Sequence, residues 1–157
     1  IVKWPEFVKA NTSIKQYVIA EDFFPSILEM AGVSSIKTIQ NVDGKSFVPL
    51  IKNNKMSATS RFLVWHYPNK WIEGDGPAIN YKSAIRQGSW KLIYDLRNGH
   101  KELYNLANDI GEHIDLSKQQ PAKTKQLTIQ LKEILEKNNA PMPSYKFNSK
   151  KVELLID

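Results

Sequence analysis

WKLIYDLRNGHKELYNL, the stretch from Trp90 to Leu106, indicates a β-hairpin at the centre of the fold. Its first half alternates, and one face carries only large apolar side chains: Trp90, Leu92 and Tyr94. The other face is mixed: Lys91, Ile93 and Asp95. Asn98-Gly99 favours a type I′ turn, which needs positive φ at both central residues. We therefore predict that Lys101 to Tyr104 returns antiparallel to Ile93 to Leu96.

Two further strands and a helix are predicted around this hairpin. Phe62 to Tyr67 is a compact apolar run, and Ser83 to Arg86 is joined to Trp90 to Leu96 by a tight turn at Gln87-Gly88-Ser89. A helix begins near Pro121, an acceptable first helical residue, and ends at Asn138-Asn139. One face of this helix is apolar: Leu127, Leu131, Ile134 and Leu135. The fold class is thus α+β, a four-stranded antiparallel sheet with a covering C-terminal helix.

The first third of the chain predicts a smaller helical region. Asp22 is a good N-cap, and Gly32 is a typical residue for stopping a helix. Apolar residues recur between them at helical spacing: Phe24, Ile27, Leu28 and Ala31. Val33 to Ser60 is mostly irregular, with a short helical turn near Phe47 to Ile51. We divide the chain into residues 1–58, a helix with a connecting segment, and residues 59–157, the antiparallel-sheet subdomain.

Composition excludes several classes of protein. The chain has 157 residues, 41% of them hydrophobic, which is enough for one ordinary core. Lys and Arg number 22 against 16 Asp and Glu, for a net charge of +6. The basic runs form neither a stripe with interleaved aromatics nor a known module, so we expect no nucleic-acid partner. No run is long enough for a membrane span, and the absence of cysteine excludes disulfides and thiolate zinc sites.

Side chains that would carry catalysis are sparse. The histidines, His66, His100 and His113, stand in neither a helical nor a metal-ligand spacing. No glycine-rich phosphate-binding motif occurs. Asp75, between two glycines, is typical of a turn, which we favour over a cation site. The sequence predicts no catalytic residue and no metal ligand in this chain.

Four separated parts of the chain carry a resemblance to a known family. They are Ile1–Pro5, Asp22–Val33, Asp43–Leu50, and the pair Ser83–Ile93 with Glu102–Glu112. The second resembles a "D-x-x-P-T-x-L-x-x-A-G" helix and the third a "D-G-x-S-x-x-P-x-L" segment. The last pair resembles "A-x-R-x-G-x-W-K-L-I" followed by "E-L-Y-N-L-x-x-D-x-x-E". In this order they are similar to the C-terminal third of the formylglycine-dependent sulfatases, which belong to the alkaline-phosphatase superfamily.

The resemblance implies what an intact parent protein would do. Such enzymes hydrolyse sulfate esters, with a formylglycine that attacks sulfur and a calcium ion that polarises the sulfate oxygens. The formylglycine is made in a Cys- or Ser-x-Pro-x-Arg motif, and this chain has no such motif. Pro141 to Tyr145 is similar in its central proline but lacks both the modifiable residue and the arginine. We therefore expect residues 1–58 to be the end of the larger α/β catalytic domain, and the fragment alone to be inactive. The resemblance also implies that the parent protein is periplasmic or extracellular and that its substrate is a sulfated small molecule or glycan.

One loop is a candidate for contact with that substrate. The strand Phe62 to Tyr67 runs into residues that combine an imidazole, an amide, a cation and an aromatic ring: His66, Asn69, Lys70 and Trp71. Aromatic rings can stack on sugar faces, and cations can pair with sulfate groups. His66 also shares a face with Phe62 and Val64, so we favour a satisfied core histidine over a ligand-binding one. For Arg86 we likewise favour an ion pair with Asp95 or another carboxylate over substrate contact.

Two alternatives to a sulfatase fragment stay open. A fragment of a phosphonate or phosphate monoester hydrolase of the same superfamily differs only in segments absent from this sequence. A stand-alone carbohydrate- or protein-binding module needs a self-sufficient core. A sulfatase fragment instead leaves the face of Phe24, Ile27 and Leu28 exposed or covered in a homodimer.

Overall fold

Four antiparallel strands in sequential order form the sheet of the computed structural model, which describes residues 1–33, 35, 37–53, 61–71 and 80–156. The strands are β1 (Phe62–Tyr67), β2 (Lys82–Gln87), β3 (Trp90–Asp95) and β4 (Lys101–Asn105). The helices are α1 (Phe23–Met30), preceded by a 3₁₀ turn at Ala20–Asp22, α2 (Val48–Asn53) and α3 (Pro121–Lys137). The predicted α+β class, its four strands and its covering helix are confirmed.

The chain divides into two compact units, residues 1–60 and 61–157. The boundary expected from the sequence was two residues earlier, at 58.

One row of apolar side chains crosses the whole sheet of the second unit. The strand register aligns Val64 with Ile85, Ile85 with Leu92, and Leu92 with Leu103. Ile85, Leu92 and Leu103 are fully buried in one cluster, which also holds three leucines of α3: Leu127, Leu131 and Leu135. Burying one such side chain is worth roughly 1.5–3 kcal/mol, so this layer dominates the stability of the unit.

The turn between β3 and β4 differs from the prediction. Asp95 pairs with His100 through a backbone bond of 2.9 Å, and Gly99 N–H donates to the Asp95 carbonyl at 2.9 Å. Gly99 has a φ of +74°, whereas Asn98 is not among the residues with positive φ. A four-residue loop therefore replaces the two-residue type I′ turn, and the prediction of that turn was wrong.

The longer loop results from a contact of Leu96 with another segment of the chain, and it leaves the core faces of the strands unchanged. Leu96 is buried, and its N–H donates to the Tyr81 carbonyl at 2.8 Å, which draws it out of the hairpin ladder. Leu92 consequently faces Leu103, two residues from the partner that the two-residue turn implied. A two-residue shift keeps every side chain on its own face, so the predicted core faces are confirmed. The β2–β3 turn is tight as predicted, with Gly88 at a φ of +57°.

Backbone bonds from a following segment cover the outer edge of β4. Leu103 N–H donates to the Asp115 carboxylate at 3.0 Å, and Leu116 N–H donates to the Leu103 carbonyl at 2.8 Å. Burial raises the pKa of Asp115, but the hydrogen bonds from Leu103 and Ser117 outweigh this effect and lower it. The edge strand thereby has partners for polar groups that would otherwise be open to pairing with another chain.

In the first unit, Asp22 and Ser26 join α1 to the segment before α2. Both side chains are fully buried. The Asp22 carboxylate accepts the N–H groups of Ile19 at 3.0 Å and Lys45 at 2.8 Å. Ser26 Oγ accepts the Phe47 N–H at 2.9 Å. Asp22 stands at the N-cap position of α1 but makes no capping bond, which corrects the predicted role: its carboxylate serves backbone groups outside the helix.

Helix α1 ends as the sequence predicts, and part of its apolar face is exposed. Gly32 has a φ of +81°, and Val33 N–H reaches the Leu28 carbonyl at 3.0 Å, the pattern of a Schellman motif. Phe24 and Ile27 are 50% and 57% exposed. Leu28, the third residue of the predicted face, is half-buried. The exposure of Phe24 and Ile27 agrees with what a sulfatase fragment was expected to show, and a homodimer through the face stays a prediction.

Gly44 tests the junction between α1 and the segment that follows it. A Cβ on Gly44 would overlap the backbone carbonyl of Glu21, so Gly44→Ala forces the segment away from Asp22. We expect a loss of unfolding free energy of about 2 kcal/mol or more, measured by urea denaturation followed by circular dichroism. Gly32→Ala is the matched control: it has open space around it and costs only the strain of its positive φ, about 1 kcal/mol. Equal losses for the two variants would contradict this account.

Candidate functional site

Trp71 and its neighbours lie just beyond β1. Asn69 and Lys70 are exposed, and the Trp71 side chain is 66% exposed. The Trp71 ring contacts Tyr67 edge to face, with centroids 5.8 Å apart and an interplanar angle of 81°. An aromatic ring held on one side and open on the other can stack on the apolar face of a sugar.

A buried amide fixes the backbone beneath Trp71. Asn80 is 2% exposed, and its side-chain oxygen accepts the Trp71 N–H at 2.7 Å. Tyr81 N–H donates to the Asn69 carbonyl at 3.2 Å, which ties Asn69 to the residue before β2. Residues 69–71 therefore have a defined backbone geometry. The sequence contains no signal for Asn80, because an amide before a strand is equally common in exposed turns.

His66 is engaged within the fold. Its Nδ1 lies 2.7 Å from Ser83 Oγ, and its Nε2 lies 2.6 Å from the Pro141 carbonyl oxygen. A carbonyl only accepts, so Nε2 carries a proton, and the imidazole links β1 and β2 to the segment after α3. The prediction that His66 is satisfied within the fold is confirmed, but its side chain is half-buried and not part of the core.

The four predicted binding residues do not form one cluster. Successive strand residues point to opposite faces, so His66 and Tyr67 face away from each other, and Trp71 packs against Tyr67. The structure brings Asn69, Lys70 and Trp71 together in the loop and places His66 on the other face. Substrate contact by any of the four stays a prediction.

Removing the His66 imidazole should destabilise the fold. His66→Ala leaves the buried Ser83 hydroxyl and the Pro141 carbonyl without this partner, and we expect a loss of about 1–3 kcal/mol in unfolding free energy. Trp71→Ala, at an exposed ring, should change it by only about 0.5 kcal/mol. Thermal and urea denaturation of both variants measure the difference. A His66→Ala variant as stable as Trp71→Ala would refute the structural role.

The two glutamates at the ends of the segment Glu102–Glu112 also make contacts within the fold. Glu102 accepts the Tyr104 hydroxyl at 3.0 Å and lies 3.9 Å from Lys82 Nζ. Burial, reinforced by Glu102, raises the pKa of Tyr104 well above its usual value. Glu112 pairs with Lys91 at 2.6 Å, which ties the end of the motif to β3.

The amide and second carboxylate of the motif shape the loop after β4. Asn105 Oδ1 accepts the Ala107 N–H at 3.2 Å. Asp109 accepts the N–H groups of His113 and Ile114, each at 2.8 Å. These bonds, led by that of Ile114, lower the pKa of Asp109. The polar residues that follow the hairpin therefore have structural partners.

Asp95 forms its ion pair with the neighbouring arginine. Arg97 Nη2 lies 2.7 Å from Asp95 Oδ2, and the Arg97 N–H donates to Asp95 Oδ1 at 2.9 Å. Arg86 Nε donates to the Gly88 carbonyl at 2.9 Å, within the turn that follows it. Burial raises the pKa of Asp95, but the bonds and charge of Arg97, together with Lys82, outweigh it and lower the pKa.

This shift predicts a loss of stability in acid. Because the folded-state pKa of Asp95 lies below its unfolded value of 3.8, its contribution is complete above that value and disappears as pH falls through the folded pKa. Asp95→Asn should lower the unfolding free energy near neutral pH by about 1–2 kcal/mol and flatten its fall between about pH 5 and pH 2. Urea denaturation across this range measures both effects. Glu133→Gln on the exposed side of α3 is the control, and parallel curves for wild type and Asp95→Asn would contradict the prediction.

The described part of the chain contains no group of three or more His, Cys, Asp or Glu side chains placed to hold a metal ion. Asp75, for which a turn was favoured over a cation site, lies outside the described residues. Among the described helices, none has the length and apolar character needed to cross a membrane.

Comparison with known proteins identifies the family. The family described as N-sulphoglucosamine sulphohydrolase, C-terminal, matches residues 1–140. The chain belongs to this sulfatase family. The resemblance predicted from the four sequence segments is confirmed.

Relatives of known name are sulfatases that are much longer than this chain. A sulfatase of Formosa agariphila is 31% identical over 162 residues, which cover 97% of this chain and 29% of the relative. Arylsulfatase K of Rattus norvegicus is 27% identical, over 90% of this chain and 25% of its own length. The chain therefore spans less than a third of these relatives.

Solved structures share the sulfatase C-terminal fold. A structure described as the putative sulfatase yidJ from Bacteroides fragilis matches with a TM-score of 0.68 at 23% identity, over 88% of this chain and 29% of its own. Ps i-CgsB, solved with k-i-k-neocarrahexaose, matches with a TM-score of 0.64 at 25% identity, over 88% and 28%. A protein solved with its substrate D-glucosamine-2-N,6-O-disulfate matches with a TM-score of 0.56 at 26% identity, over 76% and 24%.

Proposed function

We propose that this chain is the C-terminal part of a sulfatase and that the intact protein hydrolyses a sulfate ester of a sulfated small molecule or glycan. The observation that carries the proposal is the family match across residues 1–140. Two related structures, one bound to k-i-k-neocarrahexaose and one to D-glucosamine-2-N,6-O-disulfate, support a carbohydrate as the substrate. The match to a sulphohydrolase family favours a sulfate ester over the phosphonate or phosphate monoester of the alternative enzyme.

The residues of this chain do not fit the two catalytic groups expected of the family. Calcium needs several oxygen ligands in one place, and the described residues provide no such cluster of acidic or imidazole side chains. Formylglycine needs a Cys- or Ser-x-Pro-x-Arg motif, which the sequence lacks. We therefore derive no catalytic step through either group. Our proposal is that the rest of the protein supplies both and that this chain alone is inactive.

The contribution that we assign to this chain is a contact beyond the sulfate. The exposed Trp71 ring would stack on a sugar, with Tyr67 behind it and the Asn80 amide fixing its backbone. Lys70 is exposed beside it and can pair with a second sulfate group, and Asn69 can donate to a hydroxyl. His66 is already bonded on both ring nitrogens, so we assign it to holding the loop's strand.

The periplasmic or extracellular location that the family resemblance implies is kept as part of the proposal. The coding sequence upstream of Ile1 tests the whole proposal directly. It should contain a Cys- or Ser-x-Pro-x-Arg motif. A preceding sequence without that motif would favour the stand-alone binding module and end the sulfatase proposal.

Substituting Trp71 in the intact protein tests the substrate contact. With a sulfated oligosaccharide, Trp71→Ala should raise KM about fivefold to tenfold, since one aromatic contact is worth about 1 kcal/mol. With a small aryl sulfate that has no sugar to stack, kcat and KM should stay unchanged. Trp65→Ala, at the half-exposed tryptophan within β1, is the control and should leave both substrates unaffected. An equal effect of Trp71→Ala on both substrates would contradict the stacking contact.

A further inference from the structure

A short hairpin near the end of the chain is built without regular strands. Ser144 and Lys151 form an antiparallel bridge, and Tyr145 N–H donates to the Lys150 carbonyl at 2.9 Å. Ser149 N–H returns to the Tyr145 carbonyl at 2.8 Å, and Ser149 has a φ of +56°. We call residues 144–151 the terminal hairpin.

The terminal hairpin is anchored to the core of the second unit on its C-terminal side. Val152 and Leu154 are 8% and 6% exposed, and Leu154 belongs to the same apolar cluster as Leu131. Val152 N–H donates to the Pro143 carbonyl at 2.9 Å, and Leu155 N–H donates to the Tyr94 hydroxyl at 2.8 Å. A surface held in this way loses little conformational entropy when it binds a ligand.

Two aromatic rings stand on the outside of the terminal hairpin. Phe147 is 82% exposed and Tyr145 is 39% exposed, with ring centroids 5.5 Å apart and an interplanar angle of 37°. Exposing a phenylalanine forgoes roughly 1.5–3 kcal/mol of burial, so the ring at the tip contributes little to folding. Exposed aromatic pairs of this kind are typical of binding surfaces.

Lysines are close to these rings along the chain. The eight residues of the terminal hairpin contain three exposed lysines and no acidic residue: Lys146, Lys150 and Lys151. A cleft of about 250 Å³ lies between the hairpin and the β3–β4 turn. Its lining includes the charged residues Arg97, Lys150, Lys151 and Glu153 together with apolar side chains such as Leu96, Val152 and Leu155. Glu153 is the acidic lining residue here, and Arg97 is paired with Asp95. The surface as a whole is cationic.

We propose that the terminal hairpin is a binding surface for a sulfated polysaccharide, with Phe147 and Tyr145 contacting sugar faces and Lys150 and Lys151 pairing with sulfate groups. The choice of ligand rests on the proposed function, because an enzyme acting on sulfated glycans works among polymers of this chemistry. Charge complementarity with the three lysines and the exposed rings supports it. Such a surface would hold the protein on its polymer between cleavage events.

The test is direct binding of the full 157-residue chain to immobilised heparin, with chemically desulfated heparin as the reference probe. Lys150→Gln with Lys151→Gln should weaken heparin binding roughly threefold to thirtyfold, and Phe147→Ala roughly twofold to tenfold. Binding should fall as NaCl is raised, because exposed charges are screened. The matched controls are Lys118→Gln with Lys125→Gln, which removes the same charge elsewhere, and Ile110→Ala, at an 80% exposed residue.

Several results would overturn the proposal. One such result is that the hairpin variants bind heparin as tightly as their control variants do. Another is that the chain binds desulfated heparin as tightly as heparin. Tighter binding of oligothymidylate or of phosphatidylserine vesicles than of heparin would assign the surface to a different ligand. Circular dichroism checks that each exposed substitution leaves the fold intact. Because the assay measures binding without turnover, its outcome is independent of whether the intact protein hydrolyses a sulfate ester.

Discussion

The second unit depends on one packed layer, in which the row Val64, Ile85, Leu92 and Leu103 lies under the leucines of α3. A sheet of four strands exposes its apolar face unless another element covers it, and one helix of 17 residues does so here. The alternating apolar residues of β3 and the helically spaced leucines of α3 serve the same purpose, which is to bury this layer between sheet and helix. The terminal hairpin is joined to this layer through Leu154, which belongs to the same apolar cluster.

Polar residues of the family segments mainly satisfy backbone groups. Asp22 and Ser26 accept N–H groups from the segment before α2. Asp115 accepts the N–H of Leu103 in β4, and Asp109 accepts N–H groups of the segment after β4. An unpaired buried N–H costs about 1–3 kcal/mol, so the buried side chains of Asp22 and Ser26 stabilise the fold without any chemical role. The motifs by which the sequence resembles sulfatases are thus motifs of folding, and the chemistry is proposed to come from elsewhere in the protein.

Much of the fold could be predicted because its signals are periodic. β1 and the start of α3 were predicted at the observed residues, and both faces of β3 were assigned correctly. The register of the β3–β4 hairpin could not be predicted, because it depends on the hydrogen bond from Leu96 N–H to the Tyr81 carbonyl. That bond joins two separate segments, and no local sequence pattern encodes it. Asp22 was misjudged for a similar reason: its partner Lys45 is 23 positions away.

The candidate site was predictable only in part. Asn69, Lys70 and Trp71 could be predicted as binding candidates from the kinds of side chain that they carry. The hydrogen bond of His66 to the Pro141 carbonyl could not be predicted, because Pro141 lies 75 positions further along the chain. Asn80 acts through a single bond to the Trp71 backbone and has no sequence signature. Residues that act through long-range backbone contacts are therefore the ones that sequence reasoning misses.

Native-state hydrogen exchange, read by mass spectrometry, tests the central claim that the α3 layer governs the second unit. The account predicts that peptides covering β2, β3 and residues 127–135 of α3 exchange slowest and at a common rate, because they unfold together. Peptides covering residues 144–151 should exchange much faster. If α3 exchanged as fast as those residues while β2 and β3 remained protected, the helix would not be part of the cooperative core, and the account would be contradicted.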